Sequence, residues 1–347
     1  TKNSKGRNLN FFKFISAKFL TSVLFTNPWV RKKIIKASEE DFSKPAIIIA
    51  NHTSFLDTLA VAMTTHKIVF LVNDWVYQSP VFGKMVKALG CYPVSQGIEN
   101  GLDKLKRKID QGYSLAVFPE AERSYTNDVK RFHKGAFYLA EQFGLDIVPV
   151  YIHGNSEVLP KGDFIIYDGA ITVKIGDRIK KEDESFGKNY SERTKKINAY
   201  FRNEFAALRN ELEDENYFKK KLFLSFLYKD NEVVNEVKKD FEHNKSIYFE
   251  LGKYIRKDDT ILHIADDFGQ KDVLLTLQQA GRKIFSFIND PEKRQIAEQN
   301  YLVKRRKINY IKNFHEITKN IDVLLISDEN FNIGSLENFP VPLSFVM

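Results

Sequence analysis

His52 and Asp57 stand five residues apart, directly after the short apolar run Ala46-Ile47-Ile48-Ile49-Ala50. A histidine titrating at about pH 6.5 suits proton transfer near neutrality. An acid beside it can hold the imidazole in one tautomer. On one straight helix that spacing would splay the two side chains by roughly 140°. The pairing therefore needs His52 on a turn and Asp57 in the first turn of a helix. The same pattern also fits an incidental His and Asp beside a capping Asn51 or Ser54. A second group, Glu120, Glu122, Arg123 and Ser124, follows the apolar run 114–118. Arginine there suits a phosphate, which it can hold by two parallel hydrogen bonds; a surface ion pair with Glu120 or Glu122 is the plainer alternative. Lys134-Gly135 then opens a helical pattern, adding a cation and free N–H groups at the positive end of the helix dipole.

The elements that must position these groups are legible as short apolar runs, the first of them, 46–50, rich in β-branched residues. Residues 46–50, 68–72, 114–118 and 147–152 read as buried strands, with helical patterns over 101–111 and 134–143 between them. Strands alternating with helices imply an α/β domain with a largely parallel sheet. Groups that do chemistry in open α/β sheets gather at the carboxyl ends of the strands, where both clusters fall. Residues 164–167 and 171–175 flank Asp168-Gly169, which reads as a hairpin turn. Residues 189–250 are helical and charged. Strand patterns return at 260–265, 283–288, 307–311 and 321–327, with helices at 273–280 and from Pro291, as in a Rossmann-like unit. The expected organisation is an N-terminal basic helical region over 1–44, an α/β domain over 45–185, a helical connector over 186–250 and a second α/β domain over 251–347.

The chain has 347 residues, 43% of them hydrophobic, and a net charge of +8. Its single cysteine, Cys91, excludes an intrachain disulfide. Nine basic residues and no acid precede Glu39, and Phe12, Ile15, Phe19 and Val23 recur among them at helical spacing. Lys13 and Lys18 keep the apolar run far short of the ~20 residues that span a bilayer. A basic amphipathic helix lying in a membrane interface fits this stretch, as does a helix packed on its own domain. An anionic membrane surface, an acidic carrier protein and nucleic acid are the partners such a charge bias allows. Nucleic acid is disfavoured by the Phe-rich helical pattern and the lack of any nucleic-acid motif.

In order and spacing these blocks resemble the glycerolphosphate and lysophosphatidate acyltransferase family. The matching residues are His52-x4-Asp57, Phe118-Pro119-Glu120-Ala121-Glu122-Arg123-Ser124 and Ile147-Val148-Pro149-Val150, with Pro80, Gly83 and Gly90-Cys91-Tyr92-Pro93-Val94 between them. The resemblance implies that His52 takes the proton of an acceptor hydroxyl, which attacks an acyl thioester on coenzyme A or acyl carrier protein, while Asp57 orients His52. Asn51, Glu120, Arg123, Ser124, Lys134 and Gly135 would bind the acceptor. It implies no metal or other cofactor, a lysolipid acceptor, and a peripheral place on the cytoplasmic face of the inner membrane. The chain departs from the family at Ala121 and Glu122, where Gly and Thr are usual, and at Ser95-Gln96, where a basic residue is common. One cation fewer and one acid more favour a zwitterionic or amino-acid lipid over a phosphate-bearing acceptor. His133 and His153 lack the strand-end context and read as structural.

The segment Ile261-Leu262-His263-Ile264-Ala265-Asp266-Asp267-Phe268-Gly269 resembles the first motif of S-adenosylmethionine-dependent methyltransferases. His263, Ala265 and Asp267 stand where an acid and two glycines are expected, so only Gly269 matches as a cofactor-binding residue. Asp290, out of register, is the candidate for a ribose. This is a degenerate or truncated copy, for which cofactor binding is disfavoured. The succession of the two domains is similar to the tail of bacterial lipid exporters of the MMPL type, to which such a chain can be fused. The competing readings are a non-catalytic lipid-binding scaffold and a methyltransferase with an accessory lipid domain.

Overall fold

The computed structural model describes residues 30–36, 39–80, 83–88, 91–93, 102–162, 165–317, 319–332 and 334. The expected amphipathic helix of the N-terminal stretch lies outside them, as do Gly90, Val94, Ser95 and Gln96. The chain divides into two compact units, the first ending at Arg209 and the second holding residues 126–128 and everything from Asn210 onward.

In chain order the first unit contains β1 (Val30–Lys36), β2 (Ala46–Ala50), α1 (Leu56–Ala62), β3 (Ile68–Val72), α2 (Asp74–Gln78), α3 (Gly83–Ala88), β4 (Tyr92–Pro93), α4 (Leu102–Asp110), β5 (Ser114–Val117), α5 (Gly135–Phe143), β6 (Asp146–His153), α6 (Asn155–Val158), β7 (Gly169–Ile175) and α7 (Tyr190–Leu212). The strands form one sheet in the order β1-β7-β6-β2-β5-β3-β4. All neighbours are parallel except β6 and β7. β2 lies at the centre, and all five of its residues are buried. A strand covered on both faces must be apolar on both, which is why it reads as an unbroken β-branched run rather than as an alternation.

Two sequence expectations are corrected here. Val30–Lys36 falls in the stretch read as helical, yet it forms a strand in parallel register with β7. It is an outer strand of the sheet among the described residues, so Arg31 and Lys33 reach solvent without cost. Among the described residues the hairpin about Asp168-Gly169 is also absent: residues 165–168 form no strand, and β7 pairs with β6 and β1.

The second unit holds α8 (Lys219–Ser225), α9 (Asn231–Tyr254), β8 (Thr260–Ala265), α10 (Gln270–Gln278), β9 (Lys283–Ile288), α11 (Pro291–Glu298), β10 (Ile308–Ile311) and β11 (Val323–Ile326). Its parallel sheet runs β10-β9-β8-β11. Three strands progress one way and the fourth returns to the other side of β8, a doubly wound arrangement whose direction switches between β8 and β11. The core of this unit is its own, built on residues such as Leu222, Phe241, Ile261, Val273 and Ile284.

Candidate active site

β2, β5 and β6 are adjacent and parallel, so their carboxyl ends open on one edge of the sheet. His52 follows β2, Glu120 to Ser124 follow β5, and Asn155 follows β6. Three segments far apart in sequence therefore meet.

Asp57, the second residue of α1, has no exposed surface. Four donors converge on its carboxylate. His52 Nδ1 lies 2.8 Å from Oδ2, which also accepts from the backbone N–H groups of Thr53 at 2.6 Å and Ser54 at 2.8 Å. Oδ1 accepts from Asn155 Nδ2 at 2.6 Å. A carboxylate only accepts, so Nδ1 of His52 carries the proton and Nε2 presents its lone pair. The ring is further fixed by stacking on Phe118, with centroids 4.2 Å apart and planes 15° from parallel. Its backbone is held from both sides: the N–H donates to Glu120 Oε1 at 2.8 Å and the C=O accepts from Ser124 N at 2.7 Å. The imidazole thus has a defined tautomer and place, and remains partly open to solvent.

Glu120 does not face outward. It is buried, and its second oxygen accepts from Lys130 N at 2.7 Å. Burial raises its pKa to about 7, against the pull of the N–H groups of Lys130 and His52, with the charge of Asp57 adding to the rise. Glu120 is therefore a positioning residue that ties the loop after β5 to His52. Asn51 acts similarly. Its amide donates to Ile152 O and accepts from Ile152 N, both at 2.8 Å, which fastens the loop to β6. Neither residue presents a polar group to an acceptor.

Arg123 is half-buried, with its guanidinium 3.6 Å from the centroid of the Phe55 ring. Its Nη1 is buried without a hydrogen-bond partner among the described residues. Burial lowers its pKa, and the nearby charge of Asp57 opposes that. Lys161 donates to the Arg123 carbonyl at 2.8 Å and so brings a second cation to this edge. Glu122 is exposed and paired with Lys130 at 2.8 Å, so its negative charge is already matched. Ser124 is buried against His52. Lys134 and Gly135 open α5 on the surface, and the described contacts do not join them to the His52 cluster. His153, expected to lack a strand-end position, is the last residue of β6, buried beside Phe205.

Asn155 escaped the sequence reading. It lies 98 residues from Asp57, and an isolated asparagine carries no pattern. The available signal was Gly154, which has φ of +88° and would push a Cβ into the carbonyl oxygen of Ala170. Only glycine fits there, and the turn it permits aims Asn155 at Asp57.

In the second unit, Gly269 also has positive φ, at +78°. The space left by its missing Cβ is filled by the Tyr310 hydroxyl and Ala297. The switch point between β8 and β11 is likewise closed. His263 Nδ1 binds Asp272 at 2.6 Å and its Nε2 binds Ser327 at 2.8 Å, with no surface of His263 or Asp272 exposed. Asp290 caps α11 through the N–H groups of Glu292 and Lys293. The residues at the turn after β8 are thus engaged in internal packing and do not fit a bound S-adenosylmethionine.

Residues 30–153 match the acyltransferase family model, and this part of the chain is similar to curated 1-acyl-sn-glycerol-3-phosphate acyltransferases. Among curated relatives, a chloroplastic 1-acyl-sn-glycerol-3-phosphate acyltransferase of Arabidopsis thaliana is 29% identical over 136 residues, 38% of each chain. The 1-acyl-sn-glycerol-3-phosphate acyltransferase of Saccharomyces cerevisiae is 30% identical over 157 residues, 42% of this chain and 51% of the yeast protein. The chain thus spans between about two-fifths and half the length of these relatives. Among solved structures, the 1-acyl-sn-glycerophosphate acyltransferase PlsC of Thermotoga maritima aligns at 21% identity and a TM-score of 0.47, covering 60% of this chain and 83% of that one.

Proposed function

We propose that the first unit is an O-acyltransferase moving an acyl group from a thioester, on coenzyme A or acyl carrier protein, to the hydroxyl of a lysophospholipid. The observation that carries this reading is the His52–Asp57 pair: a buried carboxylate with four donors fixes the tautomer and leaves Nε2 as the base. The acceptor hydroxyl gives its proton to Nε2 as its oxygen attacks the thioester carbon. The tetrahedral adduct collapses, the C–S bond breaks, and the thiolate leaves with the proton now on Nε2. Asp57 stabilises the transient imidazolium without itself becoming protonated.

Arg123 and Lys161 favour an anionic acceptor head. With Glu122 paired to Lys130 and Nη1 of Arg123 unpartnered among the described residues, the local balance suits a phosphate. This reverses the preference for a zwitterionic lipid drawn from the Glu122 substitution. Relatives bearing the name 1-acyl-sn-glycerol-3-phosphate acyltransferase support it. We place the enzyme peripherally on the cytoplasmic membrane face; no helix among the described residues is long and apolar enough to cross a bilayer. The test is thioester consumption with a panel of lysolipids. The reading expects lysophosphatidate to be preferred, and Arg123→Lys, which removes the two-pronged donor, to raise KM for it more than for a neutral lysolipid. Preference for an uncharged acceptor would overturn the head-group assignment.

A further inference from the structure

Unit one exposes large apolar side chains along the mouth of the His52 site. Phe55, Trp75, Tyr125, Ile165 and Ile166 are between 39% and 65% exposed. A chain of contacts links them. Phe55 sits in the loop between His52 and Asp57 and lies on Arg123. The Arg123 carbonyl holds Lys161, whose ammonium lies 4.0 Å from the Tyr125 ring centroid. Ile165 and Ile166 precede Tyr167, whose N–H donates to the Val158 carbonyl at 2.8 Å, and the carbonyl of the next residue, Leu159, accepts from Ser54 Oγ at 2.8 Å beside His52. Asn73, at the start of α2, donates to the Ala121 carbonyl at 2.9 Å, which brings Trp75 to the same loop. Soluble surfaces rarely gather this much apolar area without a partner.

Its composition indicates which partner. Trp and Tyr combine an apolar ring with a polar tip, and Lys and Arg can bury their stems while keeping the charge in water, as in side chains at a lipid–water boundary. The cations are Arg123, Lys161, and Lys84 and Lys87 of α3; Lys87 lies over Tyr77 of α2. Among the described residues the acids on these segments are Asp74, Glu157, Asp168 and Glu122, the last paired with Lys130, which adds a fifth cation. A net positive rim on a chain of charge +8 favours an anionic surface.

We infer that this aromatic and basic rim is a docking surface for an anionic lipid bilayer, setting the mouth of the His52 site at the level of the head groups. It names a second contact with the membrane, independent of the N-terminal basic stretch. It rests on the lysolipid reading only for its purpose; the contact itself can be measured alone.

The chain contains two tryptophans, so Trp29→Phe in the full-length protein leaves Trp75 as the reporter. The probe is vesicles of phosphatidylcholine with phosphatidylglycerol, carrying bromine on the acyl chains. The expected result is a blue shift and quenching of Trp75, absent with phosphatidylcholine alone. Ile165→Ser combined with Ile166→Ser should weaken partitioning at least about tenfold, since two apolar side chains that lipid would cover are replaced by polar ones. Turnover of a water-soluble short-chain lysolipid should be unchanged in that variant. Unchanged Trp75 emission on bound vesicles would overturn the inference. So would a Trp75 response to acyl carrier protein but not to vesicles, which would mark a protein-docking face. If Trp75 is quenched by vesicles while no soluble acceptor is acylated, the rim stands and the acyltransfer reading fails.

Discussion

Asp57 shows how much of the site is decided by single hydrogen bonds. Without Asn155, its Oδ1 is left buried and unpaired, which costs about 1–3 kcal/mol. Asn155→Ala should lower the unfolding free energy by that amount. It should also lower turnover about tenfold or more through a looser imidazole, with KM little changed. Denaturant titration and steady-state kinetics would check both. A change in KM alone would show that Asn155 contacts substrate instead. Ala121 carries a smaller effect of opposite sign. Its φ of +61° lies where an L-residue is strained by about 1–2 kcal/mol. Ala121→Gly should raise the melting temperature, less the entropy that glycine adds to the unfolded chain. This also gives a physical reason for the family's usual glycine at that position.

Glu120 makes a prediction in pH. Its pKa is about 7 folded against 4.5 for the free side chain, so the folded state binds the extra proton. The stabilisation from Glu120 is therefore fully present below about pH 4.5 and lost as pH rises through 7. Glu120→Gln removes that titration and leaves one of the N–H groups of His52 and Lys130 without an acceptor. The stability gap between wild type and variant should widen from near pH 8 to near pH 5, as measured by chemical denaturation. A gap independent of pH would contradict the raised value.

At the scale of elements, the turn after β6 is the most constrained. Gly154→Ala puts a methyl into the Ala170 carbonyl and displaces α6, so it should cost more than about 2 kcal/mol and carry Asn155 away from Asp57. If Gly154→Ala were as stable and active as wild type, α6 would not be the support described here. The central strands were readable because burial on both faces leaves an unbroken apolar run, as in Ile47-Ile48-Ile49 and Ile261-Leu262. β1 was not, because an outer strand tolerates the sequence Val-Arg-Lys-Lys-Ile-Ile-Lys, whose charges suggested a helix at an interface. The 164–175 hairpin failed because Asp168-Gly169 satisfies a turn rule locally, while β7 pairs with β6, the strand before it across a longer connection, and with β1, distant in sequence. The places of His52, Asp57 and Arg123 at strand ends followed from local order. The inward turn of Glu120 and Asn51 did not, since whether a polar side chain faces substrate or a neighbouring peptide is settled only when strands are assembled.

For the molecule as a whole, each unit has its own hydrophobic core. Leu262→Ala opens a cavity in the second unit, at a cost of about 2–5 kcal/mol. Calorimetry should show that loss, while thioester turnover per folded molecule stays at the wild-type level. The parallel sheet of the second unit has a doubly wound order, its switch point is bridged by His263 and Ser327, and the turn at Gly269 is packed by Tyr310. S-adenosylmethionine should accordingly leave the melting temperature unmoved. Fold and chemistry part company in this unit, as the same architecture hosts many functions.

We propose His52, held by Asp57, as the base in acyl transfer. The direct measurement is thiol release from an acyl thioester with lysophosphatidate as acceptor, comparing wild type with His52→Ala at matched folded concentration. The wild type should turn over, and the variant should be slower by about 10²–10⁴-fold. Equal rates in the two proteins would contradict it.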